Sequence, residues 1–216
     1  MSGLDALSRG DLLELAPVLR RAVTLDAVGL ARLRASEHQV AVLVRLPFGV
    51  LVARTVAVER AGNVFDVTVR AGDMLAWLDG EVTVSPEPRD AEWRTSLPPA
   101  SGWRRIDTVP DEVARGLVRA GAQTLKDAAE RAGVPGAQPR AEVADALLDS
   151  VVLTVSAAGG ELATPVTLRA LSALTRMGFL TRGSHVAVDV AGRWIRLAAE
   201  FGSVYSERPG LGLALR

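Results

Sequence analysis

Between residues 40 and 69 the apolar side chains recur at every second position, and that period constrains the fold more than any other feature of the chain. Val40, Val42, Val44 and Leu46 alternate with Ala41, Leu43 and Arg45; after Pro47-Phe48-Gly49 a second run, Val50, Val52, Arg54, Val56 and Val58, does the same. Ala61-Gly62-Asn63 reads as a turn, and Phe65, Val67 and Val69 alternate once more. A period of two puts successive side chains on opposite faces of a strand. Short breaks rich in Gly, Pro and Asn join such strands into an antiparallel meander. Three strands are predicted, with residues 28–35 as a fourth. The strands at 40–58 are apolar on both faces, so either further layers of the chain or a partner subunit must cover the second face.

On either side of the meander the period lengthens to that of a helix. Leu12, Leu15, Leu19 and Val23 recur at spacings of three and four, with Asp11 and Glu14 at capping-box spacing. Pro17 inside this pattern predicts a kink or two short helices. Residues 72–79, with Met74, Leu75, Trp77 and Leu78, predict a short helix. Residues 109–132 predict a long one, with Thr108 as its cap, Pro110 in its first turn and Gly133-Val134-Pro135-Gly136 as its stop. Another begins near Arg140, and from Val151 to Ala157 the sequence fits helix and strand equally. Residues 165–178 predict a helix opened by Thr164-Pro165 and closed by Gly178 in a left-handed cap before Phe179. Val186, Val188 and Val190, a turn at Ala191-Gly192 and a strand from Trp194 to Ala199 make a hairpin, with a short strand at 204–206. The tail PGLGLALR reads as irregular.

These elements define an α+β protein. Residues 1–84 form a helix with an antiparallel β-meander. The stretch 85–102, with four prolines and no period, reads as a linker that Trp93 and Trp103 hold against the protein. Residues 103–216 form a helical domain with a C-terminal β-hairpin, in the element order of a winged helix.

Charge is balanced at 25 basic and 25 acidic residues, which removes the simplest case for a polyanion-binding protein. Residues 151–216 carry 7 basic against 4 acidic residues. Lys126 is the only lysine, so the arginine content reads as a bias of genome composition rather than as selection for phosphate binding. The absence of cysteine excludes disulfides, thiolate metal sites and cysteine nucleophiles. No leader-like basic and apolar run opens the sequence, and Val151–Gly160 is about half the length that a membrane-spanning helix needs. The expected location is the cytoplasm, without a membrane partner.

No phosphate-loop pattern and no nucleophile elbow occur; Gly210-Leu211-Gly212 has no helix after it. His38 and His185 lack a second ligand at metal-binding spacing. Asp111 and Glu112 suit a helix N-terminus, and Asp145 and Asp149 share one helix face without the further oxygen ligands a hard cation requires. No catalytic residue, metal site or cofactor is therefore assigned. The leading reading is a non-enzymatic binding or assembly module, partnered by another protein or by copies of itself. The alternative is a winged-helix regulator whose 165–178 helix enters the major groove, with Arg169 and Arg176 two turns apart on one face and Arg182, Arg193 and Arg196 in or near the wing. A third reading is an enzyme working through dispersed carboxylates or His185.

The words Val166-Thr167-Leu168-Arg169-Ala170-Leu171, Gly178-Phe179-Leu180, Gly192-Arg193-Trp194 and Phe201-Gly202-Ser203-Val204-Tyr205 resemble the C-terminal part of uncharacterised two-domain proteins of high-GC actinobacteria. The resemblance covers the last third of the chain. It agrees with the preference for Arg over Lys and implies no activity.

Overall fold

In a computed structural model the meander forms as an antiparallel sheet, and a second antiparallel sheet region follows it in the chain. The structure describes residues 4, 7–59, 64–132, 137–157 and 163–208; the turn at 61–63, the helix stop at 133–136 and the 209–216 tail lie outside them. The chain divides into two units. The first holds residues 1–97 with 176–178 and 201–203, and the second holds the remainder.

The first unit opens with α1 (Arg9–Leu12), a 3-10 turn and α2 (Ala16–Leu25). Pro17 lies in the first turn of α2, where its missing N–H has no helical partner to lose. No capping box forms: Glu14 instead accepts from Arg54 Nη2 at 2.9 Å. Strands β1 (Leu30–Ala35), β2 (Gln39–Arg45), β3 (Leu51–Ala57) and β4 (Phe65–Arg70) then lie in the order β4-β1-β2-β3, followed by α3 (Ala71–Leu78). The register pairs Leu33 with Val42 and Val67, and Val44 with Ala31 and Val52, so one face is continuous aliphatic surface. This face and the helix side chains Leu12, Leu15, Leu19, Met74 and Trp77 are buried and make the core. Each fully buried aliphatic side chain contributes about 1.5–3 kcal/mol. With few rings available, many small contacts do the packing.

The opposite face carries Arg32, Arg34, Leu43 and Ala53. Residues 89–93 reach it from the β4 side. Arg89 N–H donates to Thr68 O at 2.7 Å and Thr68 N–H to Asp90 Oδ1 at 2.6 Å, which ties this segment to strand β4. Trp93 then lies over the Arg32 guanidinium, 5.7 Å from the ring centroid. Leu43 and Ala53 are buried within the chain, so the two-faced apolar pattern of β2 and β3 does not require a partner subunit.

The second unit differs in detail from the helix-then-hairpin expectation. Its sheet order is β10-β9-β8-β5, built from β5 (Arg104–Pro110), β8 (His185–Ala191), β9 (Trp194–Ala199) and β10 (Gly202–Glu207). Thr108 and Pro110 belong to β5, and the long helix α4 (Asp111–Ala132) starts only after them. Thr108 is therefore not a cap; it pairs with Ala187. Helix α5 (Ala137–Leu148) follows. Val151–Ser156 resolves as strand β6, paired with β7 (Ala163–Thr167). Thr164 and Pro165 thus sit in a strand, and helix α6 spans only Leu168–Arg176. A two-stranded ladder tolerates proline because each strand keeps one free edge. The left-handed cap does form: Gly178 has φ +66°, and Phe179 N–H donates to Leu174 O at 3.0 Å, the Schellman bond.

Both units repeat one spatial arrangement of strands with the chain order permuted, since β4 follows its meander and β5 precedes its own. In each, a helix (α2 or α6) leads into a three-strand meander (β1-β2-β3 or β8-β9-β10). In each, a further strand flanks the first meander strand and runs straight into a helix (β4 into α3, β5 into α4). The sheet-face chemistry recurs too. Asp66 holds Arg32 and Arg34, with Trp93 over Arg32. Asp189 holds Arg105 and Arg196, with Trp103 4.5 Å from Arg196.

Candidate functional site

Where β1 begins and β2 and β4 end, the first unit has an open cleft of about 390 Å³. Its walls are the Asp26–Leu30 connection, Arg45-Leu46-Pro47 after β2, Arg70 at the end of β4, and Glu92–Thr95. Backbone bonds fix these walls. Gly29 N–H donates to Asp26 O at 3.2 Å, Ala71 N–H to Gly29 O at 2.9 Å and Leu46 N–H to Val50 O at 2.9 Å. Trp93 Nε1 donates to Thr95 O at 2.7 Å, which fixes its ring. Arg70 is committed to Glu92 at 2.7 Å and to Val28 O at 2.7 Å. Arg45 and Arg94 differ: both are exposed, and neither has a salt bridge among the described residues. Arg45 donates to the Thr95 hydroxyl at 3.5 Å. Val28 stands 70 % exposed beside them.

The five sequence-predicted arginines have different surroundings. Arg169 donates to Asp149 at 2.7 Å and pairs with Asp145 at 3.3 Å, so the two carboxylates that could have held a cation hold this guanidinium. The hydrogen bond to Asp149 raises the Arg169 pKa above its ordinary value, against partial burial that lowers it. Arg176 lies 5.7 Å from the Phe48 ring centroid. Arg193 pairs with Glu207 at 3.3 Å and lies over Trp194; Arg196 is bound to buried Asp189. Arg182 is exposed in the turn before β8. Between them, Leu168, Ala170, Leu171, Ser172, Ala173 and Leu174 of α6 are buried. Ser172, which shares the Arg169 and Arg176 face of α6, is only 9 % exposed.

The histidines and carboxylates are placed apart. His38 is exposed, its Nδ1 3.2 Å from Glu59 O, and His185 is exposed at the start of β8. Asp111 is buried and accepts from Gly183 N–H at 3.0 Å and Arg115 Nε at 3.1 Å, tying α4 to the turn before β8. Among the described residues no three His, Asp or Glu side chains are grouped to hold a metal ion, and no helix is long and apolar enough to cross a membrane. Arg45, Trp93 and Arg94 were not singled out as a site by sequence. The visible signal was a tryptophan between charged residues in a proline-rich stretch.

Residues 98–211 match the family described as Domain of unknown function (DUF8185). The chain belongs to the DUF8185 family. Residues 1–95 of this DUF8185 chain match a second family, Domain of unknown function (DUF8010). No curated protein matches it in sequence. Its fold is similar to that of DNA polymerase III subunit beta from Pseudomonas aeruginosa, with a TM-score of 0.56 and 12% identity, covering 92% of this chain and 62% of that one. It is also similar to the beta subunit from Streptococcus pyogenes, with a TM-score of 0.55, 11% identity, and 89% and 62% of the two chains. The Thermotoga maritima beta subunit gives 0.53 at 12% identity, over 94% and 65%. The DUF8185 chain thus spans less than two thirds of the length of these proteins. At such identities the likeness establishes the fold.

Proposed function

We propose that the chain is a non-enzymatic binding and assembly module, which associates with copies of itself and holds protein partners on a sliding-clamp-like frame. The observation that carries this reading is the fold likeness over about nine tenths of the chain to polymerase beta subunits, one of them described as a DNA polymerase sliding clamp. The arrangement of the charged side chains supports it. Arginines and carboxylates are spent on one another, as at Arg169 with Asp145 and Asp149, in contacts that fix surfaces rather than present a reactive group. The kinship with two-domain actinobacterial proteins and a cytoplasmic location belong to the same proposal.

Sedimentation equilibrium over a dilution series tests the self-association. A mass that rises with concentration to a multiple of 22.8 kDa is expected. A single-chain mass at every concentration would sink that part of the reading. DNA binding is tested by anisotropy of a labelled duplex over a salt series. If duplex binding appears, exchanging Arg169 and Arg176 for Ala should leave it unchanged.

A further inference from the structure

We propose that the cleft bounded by Arg45, Arg94, Trp93, Val28 and Pro47 is a docking site for an acidic peptide segment of a partner protein. This deepens the proposed function and rests on the reading of the chain as a protein-binding module.

Arg20, Arg32, Arg34, Arg54, Arg70 and Arg89 of the same unit each pair with a carboxylate at 3.4 Å or less. Arg45 and Arg94, which line one cleft, have no salt bridge among the described residues. Of the cleft's own acids, Glu92 pairs with Arg70 and Arg89, while Asp26 accepts from Val28 N–H at 3.1 Å and keeps its charge, leaving the cations in excess. The rim therefore presents two guanidiniums whose geometry suits bidentate capture of carboxylates.

Shape and polarity narrow the occupant. The cleft is open to solvent rather than enclosing, so it accepts a chain that passes through it. Exposed Val28, with Leu30, Pro47 and the face of Trp93, offers apolar surface beside the cations. A peptide with an apolar side chain between Asp or Glu residues satisfies both parts at once. A bare inorganic anion would leave the apolar wall unused. The bonded loops that form the walls are in place before binding, which lowers the ordering cost of capture.

The test uses the full chain and a short fluorescein-labelled peptide in which Asp and Glu flank a Leu-Phe pair, followed by anisotropy. Binding that weakens with salt is expected, with a loss of roughly tenfold or more in R45E/R94E. Both positions are exposed, and an unchanged circular dichroism spectrum shows that the variant is folded. An equal affinity for the peptide with Asn and Gln in place of the acids would overturn the proposal. So would unchanged binding in the double variant, no binding at low salt, or displacement of the peptide by inorganic phosphate or duplex DNA as readily as by unlabelled peptide. Sedimentation of the same variant separates the two readings. A chain that self-associates but ignores the peptide sinks the cleft alone. A chain that binds the peptide through Arg45 and Arg94 but stays a single copy sinks self-association alone.

Discussion

Two glycines five residues apart in α4 should respond in opposite directions to the same substitution. Gly→Ala in a helix interior ordinarily gains about 1 kcal/mol, because alanine loses less backbone freedom on folding. At Gly116 a Cβ would have no atom outside its own helix within 4 Å, so the gain should be realised. At Gly121 the added Cβ would stand 2.4 Å from Leu168 Cδ2, 2.9 Å from Cδ1 and 3.2 Å from Cγ. Rotating the leucine end moves its methyls but leaves Cγ at 3.2 Å, itself tighter than an ordinary contact. Leu168 is 3 % exposed at the start of α6, so protein atoms rather than solvent surround it. Overpacking of this kind costs about 1–3 kcal/mol. Gly121→Ala should therefore end below wild type, and about 2 kcal/mol below Gly116→Ala. For a chain of this size that difference is roughly 4–8 °C in melting temperature, read by circular dichroism. Gly121→Ala should also become stabilising in a Leu168→Ala background, where the crowding atoms are gone. A Gly121→Ala protein that melts with or above Gly116→Ala would refute the close approach of α4 and α6.

Gly178→Ala should destabilise by about 1 kcal/mol or more, because φ +66° is strained for any residue with a Cβ; an unchanged urea midpoint would contradict the Schellman ending of α6. Asp189→Ala should cost about 2 kcal/mol in urea unfolding, since it removes a buried acceptor shared by Arg105 and Arg196. That is less than the usual cost of breaking a fully buried pair because Arg105 is 59 % exposed and can turn to water; a change within a few tenths of a kcal/mol would show that the bridge adds little to stability.

The period-two runs at 40–58 and 65–69, the short helix with Met74 and Trp77, and the hairpin at 185–199 could be read from the sequence because neighbouring residues alone decide a period. Gly178 was readable for the same reason: only a residue without a Cβ suits the left-handed end of a helix. The failures share a different cause. Arg104–Pro110 and Ala163–Thr167 have no strict alternation, and they become strands because β8 and β6 offer them hydrogen-bond partners tens of residues or only a few residues away. Thr108 and Thr164-Pro165 fit a helix start locally and lost to that pairing.

The same division runs through the charged residues. Composition determined that the chain could not work through cysteine and that its arginines had as many carboxylates available as they needed. It could not say which arginine met which acid. Arg169 found Asp145 and Asp149, and Arg196 found Asp189, because the fold brought their strands and helices side by side. Only that placement left Arg45 and Arg94 without carboxylate partners among the described residues at one cleft beside Trp93. Spacing along the chain fixes a side chain's face on its own element, whereas its neighbours across the fold, and so its available charge, are set by tertiary packing.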